Sequence, residues 1–456
     1  MSLYATVNPA TGVVVREFDP IDDDVLNRTL EAANVAQHSW SRSKIQERAE
    51  VVQRIADLYR EHAEELSRLA TLEMGKPILQ ARAEIGLAAS IYEYYATAGP
   101  SLLVDEVLDI AGTGRAVVRT APIGVILGIM PWNFPHYQVA RFVAPNLLLG
   151  NTILLKHAES CPQQALRIAE LIAEAGAPAG AYANIFATRE QVAGLIASPV
   201  VQGVSLTGSE RAGRAIGELA GRNLKKAVLE LGGSDSFIVR PSADLEQAVQ
   251  AAAAGRFNNA GQVCTSSKRL IVDSTVWTDF VGAFVEKAAD WTLGDPREEG
   301  TRLGPLASAQ ARRDLAAQVQ DAIDKGATVH LGGQVPDGDG AFYPATVLSG
   351  VTPEMRAFRE ELFGPVAVLY QVGSLDEAVE LANDSDYGLG AAVFTGLPEE
   401  AEYVADELDV GMVGLNTTIK SAPDLPFGGV KSSGIGRELG RFGLDEFSNK
   451  KLVRYA

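Results

Sequence analysis

Cysteine is nearly absent. Cys161 and Cys264 are the only two in 456 residues, which excludes a disulfide framework and leaves each thiol to be explained separately. Histidine is scarce too: the five present form no H-E-x-x-H pattern and no spacing with cysteine, so no metal site is assigned. Basic charge is in deficit, with 40 Lys and Arg against 58 Asp and Glu and a net charge of -18. That field repels nucleic acid and anionic membrane, and a small anionic substrate would have to be captured by locally placed Lys or Arg. No apolar run approaches the roughly 20 residues that cross a bilayer; GVILGIM and NTILL are of strand length. No charged-then-apolar leader precedes VNPATG, so the cytoplasm is the expected location. A G-x-S-x-G elbow is missing, which removes support for a serine hydrolase of the α/β-hydrolase kind. There is no fixed-period repeat, low-complexity tract or long Pro/Ser linker.

What is present is an ordinary globular composition, 46% hydrophobic and 21% charged, long enough for two or three closely packed domains. The first hundred residues read mostly as helices. Ser43 and Gln46 suggest a capping box, followed by Ile45, Ala49, Val52, Ile55, Ala56 and Tyr59 at helical spacing. From residue 122, strand-length runs alternate with helices: GVILGIM, NTILLK, a helix from Gln163, GVSLTG, a helix from Glu210, KAVLELGG. Such alternation predicts parallel strands with right-handed crossovers and, in outline, a nucleotide-binding architecture. After Gly232 and Gly233 the pattern restarts and continues to about residue 425, so the double glycine is the expected boundary between two α/β units.

Several turns bear chemistry-capable residues. TGSERAG, with Gly208 and Ser209, places a glycine turn between strand and helix; its backbone N–H groups suit a phosphate, although an ordinary βα turn reads the same way. PWNFP fixes Asn133 in a rigid strand-end loop, where its amide either donates to an oxyanion or satisfies the turn itself. Lys156 and Glu159 of LLKHAE follow another strand end, where α/β ligand sites form. Glu230 of LELGG is either a strand-end residue reaching water or a general base. GIGREL, at 434 to 439, is glycine-rich but has no strand feeding it, so it is read as a distractor. In GQVCTSS, Cys264 could be a core residue, a ligand, a redox partner or a nucleophile.

Taken in order, PWNFP, LLKHAE, LTGSERAG, LELGG, FNNAGQVCTSSKR, EELFGPV and LPFGGVKSSGIGRELG resemble the NAD(P)-dependent aldehyde dehydrogenase superfamily over almost the whole chain. The likeness is greatest to the shorter bacterial succinate-semialdehyde dehydrogenases. It implies an α/β fold with three parts: a Rossmann-type dinucleotide-binding domain (1–101 and 122–231), an α/β catalytic domain (232–426), and a small β oligomerisation or bridging arm (102–121 and 427–456). It further implies Cys264 as nucleophile, Asn133 and the Cys264 N–H as oxyanion donors, and Glu230 as the base that activates water. Around the cofactor it implies Lys156 at the adenosine ribose, Gly208 and Ser209 at the pyrophosphate, Glu361 at the nicotinamide ribose, and Phe363 and Trp132 beside the nicotinamide.

A carboxylate at Glu159 bonds the 2′-hydroxyl of NAD and repels the 2′-phosphate of NADP, so NAD is expected to be preferred, with NADP as the other option. For the substrate, Arg141 matches an arginine that binds the distal carboxylate of succinate semialdehyde, a structural role being the alternative. The second arginine of that pair is Asn258 here, with Lys420 or Ser421 as substitutes. The implied reaction takes an aldehyde, succinate semialdehyde in first place, to the acid through a cysteine thioester. The rivals are an enzyme for uncharged aliphatic or aromatic aldehydes and a catalytically silent dinucleotide-binding structural protein. Transfer to coenzyme A is disfavoured by Glu230. Strand edges in RAVVRTAPIG and KKLVRYA imply a homodimer or homotetramer.

Overall fold

Short, fully buried apolar runs cannot satisfy their backbone polar groups alone, and between residues 125 and 230 they do so by pairing as parallel strands. In the computed structural model, which describes residues 2–456, the spatial order is Tyr182–Asn184, Thr152–His157, Val125–Met130, Val201–Thr207, Lys226–Glu230. Chain order reverses between Val125–Met130 and Val201–Thr207. That pair is the topological switch point, and the loops leaving its carboxyl ends form the crevice where such sheets bind ligands. Those loops carry Asn133 and Ser209.

The helix Tyr137–Leu149 is buried at every position, because it lies between this sheet and the helices Ile45–Glu61 and Ile78–Thr97. Gly128 allows that contact: a Cβ there would sit 2.5 Å from the ring of Phe142. The Ile45–Glu61 helix starts one residue later than the Ser43–Gln46 reading expects. Glu47 accepts the Lys44 N–H at 3.2 Å, while the Ser43 hydroxyl donates to the Trp40 carbonyl at 2.7 Å. A hairpin of Tyr4–Val7 and Val14–Phe18 precedes the helices. Its outer strand is exposed and too short to stand out against the helical periodicity that follows.

Gly232 and Gly233 separate Lys226–Glu230 from Asp235–Val239, the last parallel strand of the first sheet and a central strand of the second. The second sheet runs Thr328–Leu331, Thr346–Ser349, Val366–Val372, Ser267–Asp273, Asp235–Val239, Gly390–Phe394, Met412–Leu415, antiparallel only at its first pair. Three antiparallel strands, Glu106–Leu108, Arg115–Pro122 and Ser448–Tyr455, form a separate sheet. The segment 427–447 does not join that arm. Gly434–Ile435 pairs antiparallel with Lys226–Glu230, and Phe427, Leu439, Leu444 and Phe447 pack into the core of the first sheet. GIGREL itself opens with that two-residue strand, which is held by a long-range pairing that local spacing does not reveal.

Candidate active site

The loop that carries Cys264 begins where the helix Leu245–Phe257 ends. Asn259, Ala260 and Gly261 then take consecutive left-handed conformations, with φ of 52°, 52° and 69°. For the two residues that carry a Cβ this costs on the order of 1–3 kcal/mol each, so neighbouring structure has to impose it. Arg256 does so. Its buried guanidinium donates to the carbonyls of Val366 at 2.6 Å, Leu362 at 2.9 Å and Gly261 at 3.4 Å, and also to Gly364 O and Ser266 Oγ. The Asn259 amide donates to the Asn133 carbonyl at 2.9 Å, and the Asn133 amide donates to the Gln262 carbonyl at 3.0 Å. The two loops expected to hold the oxyanion are thus tied to one another. The backbone N–H of Cys264 has no acceptor among the described residues, and the thiol is partly buried.

A second device holds the PWNFP loop. Glu84, buried and paired with Lys76, accepts the N–H groups of His136 at 2.8 Å and Tyr137 at 3.1 Å at the start of the Tyr137–Leu149 helix. The Lys76 Nζ lies 3.8 Å from the centroid of the Phe134 ring. His157 accepts the Ala158 N–H at Nδ1, so its Nε2, 2.9 Å from Pro135 O, is the donor. Burial pulls the imidazoles of His136 and His157 down to about 3 and about 4, and both are neutral supports.

A cleft of about 250 Å³ is lined by Trp132, Asn133, Gly208, Ser209, Cys264, Glu361 and Phe363. Trp132 and Phe363 meet edge to face, with ring centroids 5.7 Å apart. On the other side of the 206–212 turn lies a second cleft, of about 330 Å³, lined by Lys156, Glu159, Arg189, Arg211 and the apolar Ile129, Leu206 and Ile216. Lys156 pairs with Glu159 at 3.0 Å, while Arg189 and Arg211 form no ion pair among the described residues. Between the clefts stands the N-terminus of the helix Glu210–Arg222, capped by Ser209. Two pockets flanking a helix N-terminus, one apolar with polar ends and one reaching a thiol, fit a dinucleotide with its pyrophosphate at the helix end.

Glu230 is buried with neither carboxylate oxygen bonded. Burial pushes its carboxyl well up, against the pull of Arg141 and with the help of Glu438. Arg141 differs from its expected role. Its side chain is fully buried, paired with Glu438, and donates to Tyr137 Oη at 3.1 Å and Thr207 Oγ1 at 3.2 Å. Full burial and a carboxylate partner already in place favour the structural one of the two roles considered. Tyr137 in turn donates to Ser421 Oγ at 2.7 Å, bringing Ser421 to the outer end of this chain. Asn258 is exposed at the end of its helix, and Lys420 is exposed on its loop. Glu438, Arg256, Lys268 and Glu84 were not singled out from the sequence. Only Lys268 carried a local hint, as a cation four residues past the cysteine.

Burial pushes the Cys264 thiol up to about 12, with Arg141 and then Lys268 pulling it back and Glu361 and Asp235 adding to the rise. Without further stabilisation the sulfur is therefore a thiol and not the nucleophilic thiolate.

This fold and this cleft match one family along the chain. Residues 2–453 fit the model of the aldehyde dehydrogenase family, and the chain belongs to that family. It is 54% identical to a succinate-semialdehyde dehydrogenase [NADP(+)] of Deinococcus radiodurans, over 99% of this chain and 94% of that one. The crystal structure of succinic semialdehyde dehydrogenase from Streptococcus pyogenes in complex with NADP+ superposes with a TM-score of 0.97 at 41% identity, covering 99% of both chains. An NAD-dependent aldehyde dehydrogenase from Sinorhizobium meliloti gives 0.96 at 36% identity, over 99% of this chain and 91% of that one.

Because Arg141 neutralises Glu438 in a buried site, Arg141→Ala leaves an uncompensated carboxylate. Denaturant unfolding is expected to show a loss of about 3–5 kcal/mol. A variant as stable as the parent would mean that the pair contributes nothing to the fold.

Proposed function

We propose that the protein oxidises succinate semialdehyde to succinate with NAD(P)+ through a thioester on Cys264. One observation carries the reading: a partly exposed thiol, an amide side chain and a carboxylate, Cys264, Asn133 and Glu361, converge on one cleft at the switch point. Attack by the Cys264 thiolate on the aldehyde carbon places an oxyanion between the free Cys264 N–H and the Asn133 amide. Loss of one such donor costs about 3 kcal/mol of transition-state stabilisation. The bound nicotinamide supplies the hydride acceptor, and Trp132 and Phe363 bound the apolar side of its cleft. Glu230, once deprotonated, takes a proton from the water that hydrolyses the thioester. Its burial keeps it neutral until the pH passes its raised pKa, so hydrolysis is expected to quicken as pH rises.

Recognition of the substrate carboxylate is assigned to the Tyr137 and Ser421 hydroxyls, which stand in series outside the buried Arg141 cation. The substrate name of the Deinococcus relative supports this over an uncharged aldehyde. Both cofactors are accepted, with Glu159 favouring NAD; Lys156, Arg189 and Arg211 in the same cleft keep a 2′-phosphate tolerable. The exposed strands Glu106–Leu108 and Ser448–Tyr455 support assembly into a homodimer or homotetramer. The acidic surface, and helices none of which among the described residues is long and apolar enough to cross a membrane, support work in the cytoplasm.

Absorbance of reduced nicotinamide tests the chemistry. Cys264→Ala is expected to abolish turnover, whereas Glu230→Gln is expected to keep a stoichiometric burst and then turn over about a hundredfold more slowly. Turnover surviving in Cys264→Ala would remove the thioester route. Ser421→Ala, which leaves the Arg141 pair intact, is expected to raise KM for succinate semialdehyde about tenfold with little change for butanal; equal effects on both aldehydes would point to an uncharged substrate. For the cofactor, Glu159→Ser is expected to raise kcat/KM with NADP relative to NAD by about tenfold, and an unchanged ratio would show that this carboxylate does not discriminate.

A further inference from the structure

Lys268 is the second residue of the strand Ser267–Asp273, and its side chain is almost wholly buried. Its ammonium donates to the Cys264 carbonyl at 2.8 Å and the Val263 carbonyl at 3.0 Å, and pairs with Glu361 Oε1 at 3.1 Å. Glu361 Oε1 also accepts the Gly233 N–H at 3.0 Å. One buried cation therefore joins the backbone of the candidate nucleophile to the carboxylate that the reading above assigns to the cofactor. Three donors on an ammonium match these three oxygens. Glu361 Oε2 has no hydrogen-bond partner among the described residues, so a donor that bonds it draws negative charge away from the oxygen that holds Lys268.

We propose that Lys268 is a positioning residue that transmits the state of Glu361 to Cys264: while Glu361 holds the ammonium its charge is spent on the carboxylate, and when cofactor hydroxyls take Glu361 that charge is released to favour the thiolate. The inference rests on the assignment of Glu361 to the cofactor and Cys264 to nucleophilic attack. The groups facing the thiol are Arg141 and Tyr137 from the helix Tyr137–Leu149, Asp235 from the neighbouring strand, Glu361 from its loop, and Lys268 itself. Arg141 is already neutralised by Glu438, which leaves Lys268 as the cation whose pairing the cofactor can change. Asp235, bonded to the Gly390 N–H at 3.1 Å, is lifted by burial to about 8 against the pull of Lys268. Its own titration falls within the working range, so every profile is repeated in an Asp235→Asn background.

The test is the pH dependence of alkylation of Cys264 by iodoacetamide in the full-length protein, with the labelled peptide identified by mass spectrometry. Lys268→Met is expected to move the midpoint up by about one pH unit, a tenfold slowing below it. Glu361→Gln is expected to move it down, and the double variant to follow Lys268→Met alone, because the carboxylate acts through the ammonium. Saturating NAD+ is expected to lower the midpoint of the parent and to leave Lys268→Met unmoved. Additive single effects in the double variant, an unchanged profile in Glu361→Gln, or an equal NAD+ response without Lys268 would each overturn the proposal. Glu361→Gln retains Lys268 and is read whether or not Lys268→Met folds. The profiles need only the thiol, so they still report on the coupling if turnover in Cys264→Ala were to refute the thioester route.

Discussion

Arg256 is a charge buried without a carboxylate. Taking a guanidinium out of water is tolerable only if its donors are satisfied, and here every acceptor is a backbone carbonyl or a hydroxyl: Gly261 and Ser266 from the cysteine loop, Leu362, Gly364 and Val366 from the stretch that presents Glu361 and Phe363. Burial pulls the group down to about 9, with Glu361 drawing it the other way. The planar fork fixes two loops relative to one another in a way that a point charge could not. The left-handed run at 259–261, which turns the chain back so that Cys264 faces the cleft, is stable because this clamp and the Asn133–Gln262 and Asn259–Asn133 bonds leave it no alternative.

On that frame sits an arrangement of buried charges. Arg141 is balanced by Glu438 and Lys268 by Glu361, while Glu230 and Asp235 are held largely neutral by burial. Preorganised groups of this kind act strongly because they need no reorganisation at the moment of reaction. The C-terminal segment reaches this centre by way of glycines: a Cβ on Gly428 would lie 2.7 Å from a Glu230 oxygen. The same segment delivers Glu438 to Arg141, so a stretch far along the chain completes the surroundings of Arg141 and Glu230.

The alternation of strand and helix was legible because burial on both faces demands continuous apolar runs, and helices Pro162–Glu174 and Glu210–Arg222 begin within one residue of where the pattern places them. The hairpin Tyr4–Val7 and Val14–Phe18 was not legible, because one strand is exposed and both are short. Asn133, Ser209, Glu361 and Cys264 could be drawn from their motifs, and they line a single cleft. Arg141 kept two roles open, because a motif places an arginine at a position but does not say which carboxylate reaches it first.

Composition, charge deficit, the order of apolar runs and the motif series determined the class of architecture, the family and the candidate reacting groups, because these depend on local periodicity and on residue types at fixed spacing. Which cation is spent on which anion was decided only in three dimensions. Glu438 lies 297 positions from Arg141 and Glu361 lies 93 positions from Lys268; at such separations partnership is set by sheet order and loop closure, and an electrostatic energy that falls with distance and rises with burial has no value until those are known.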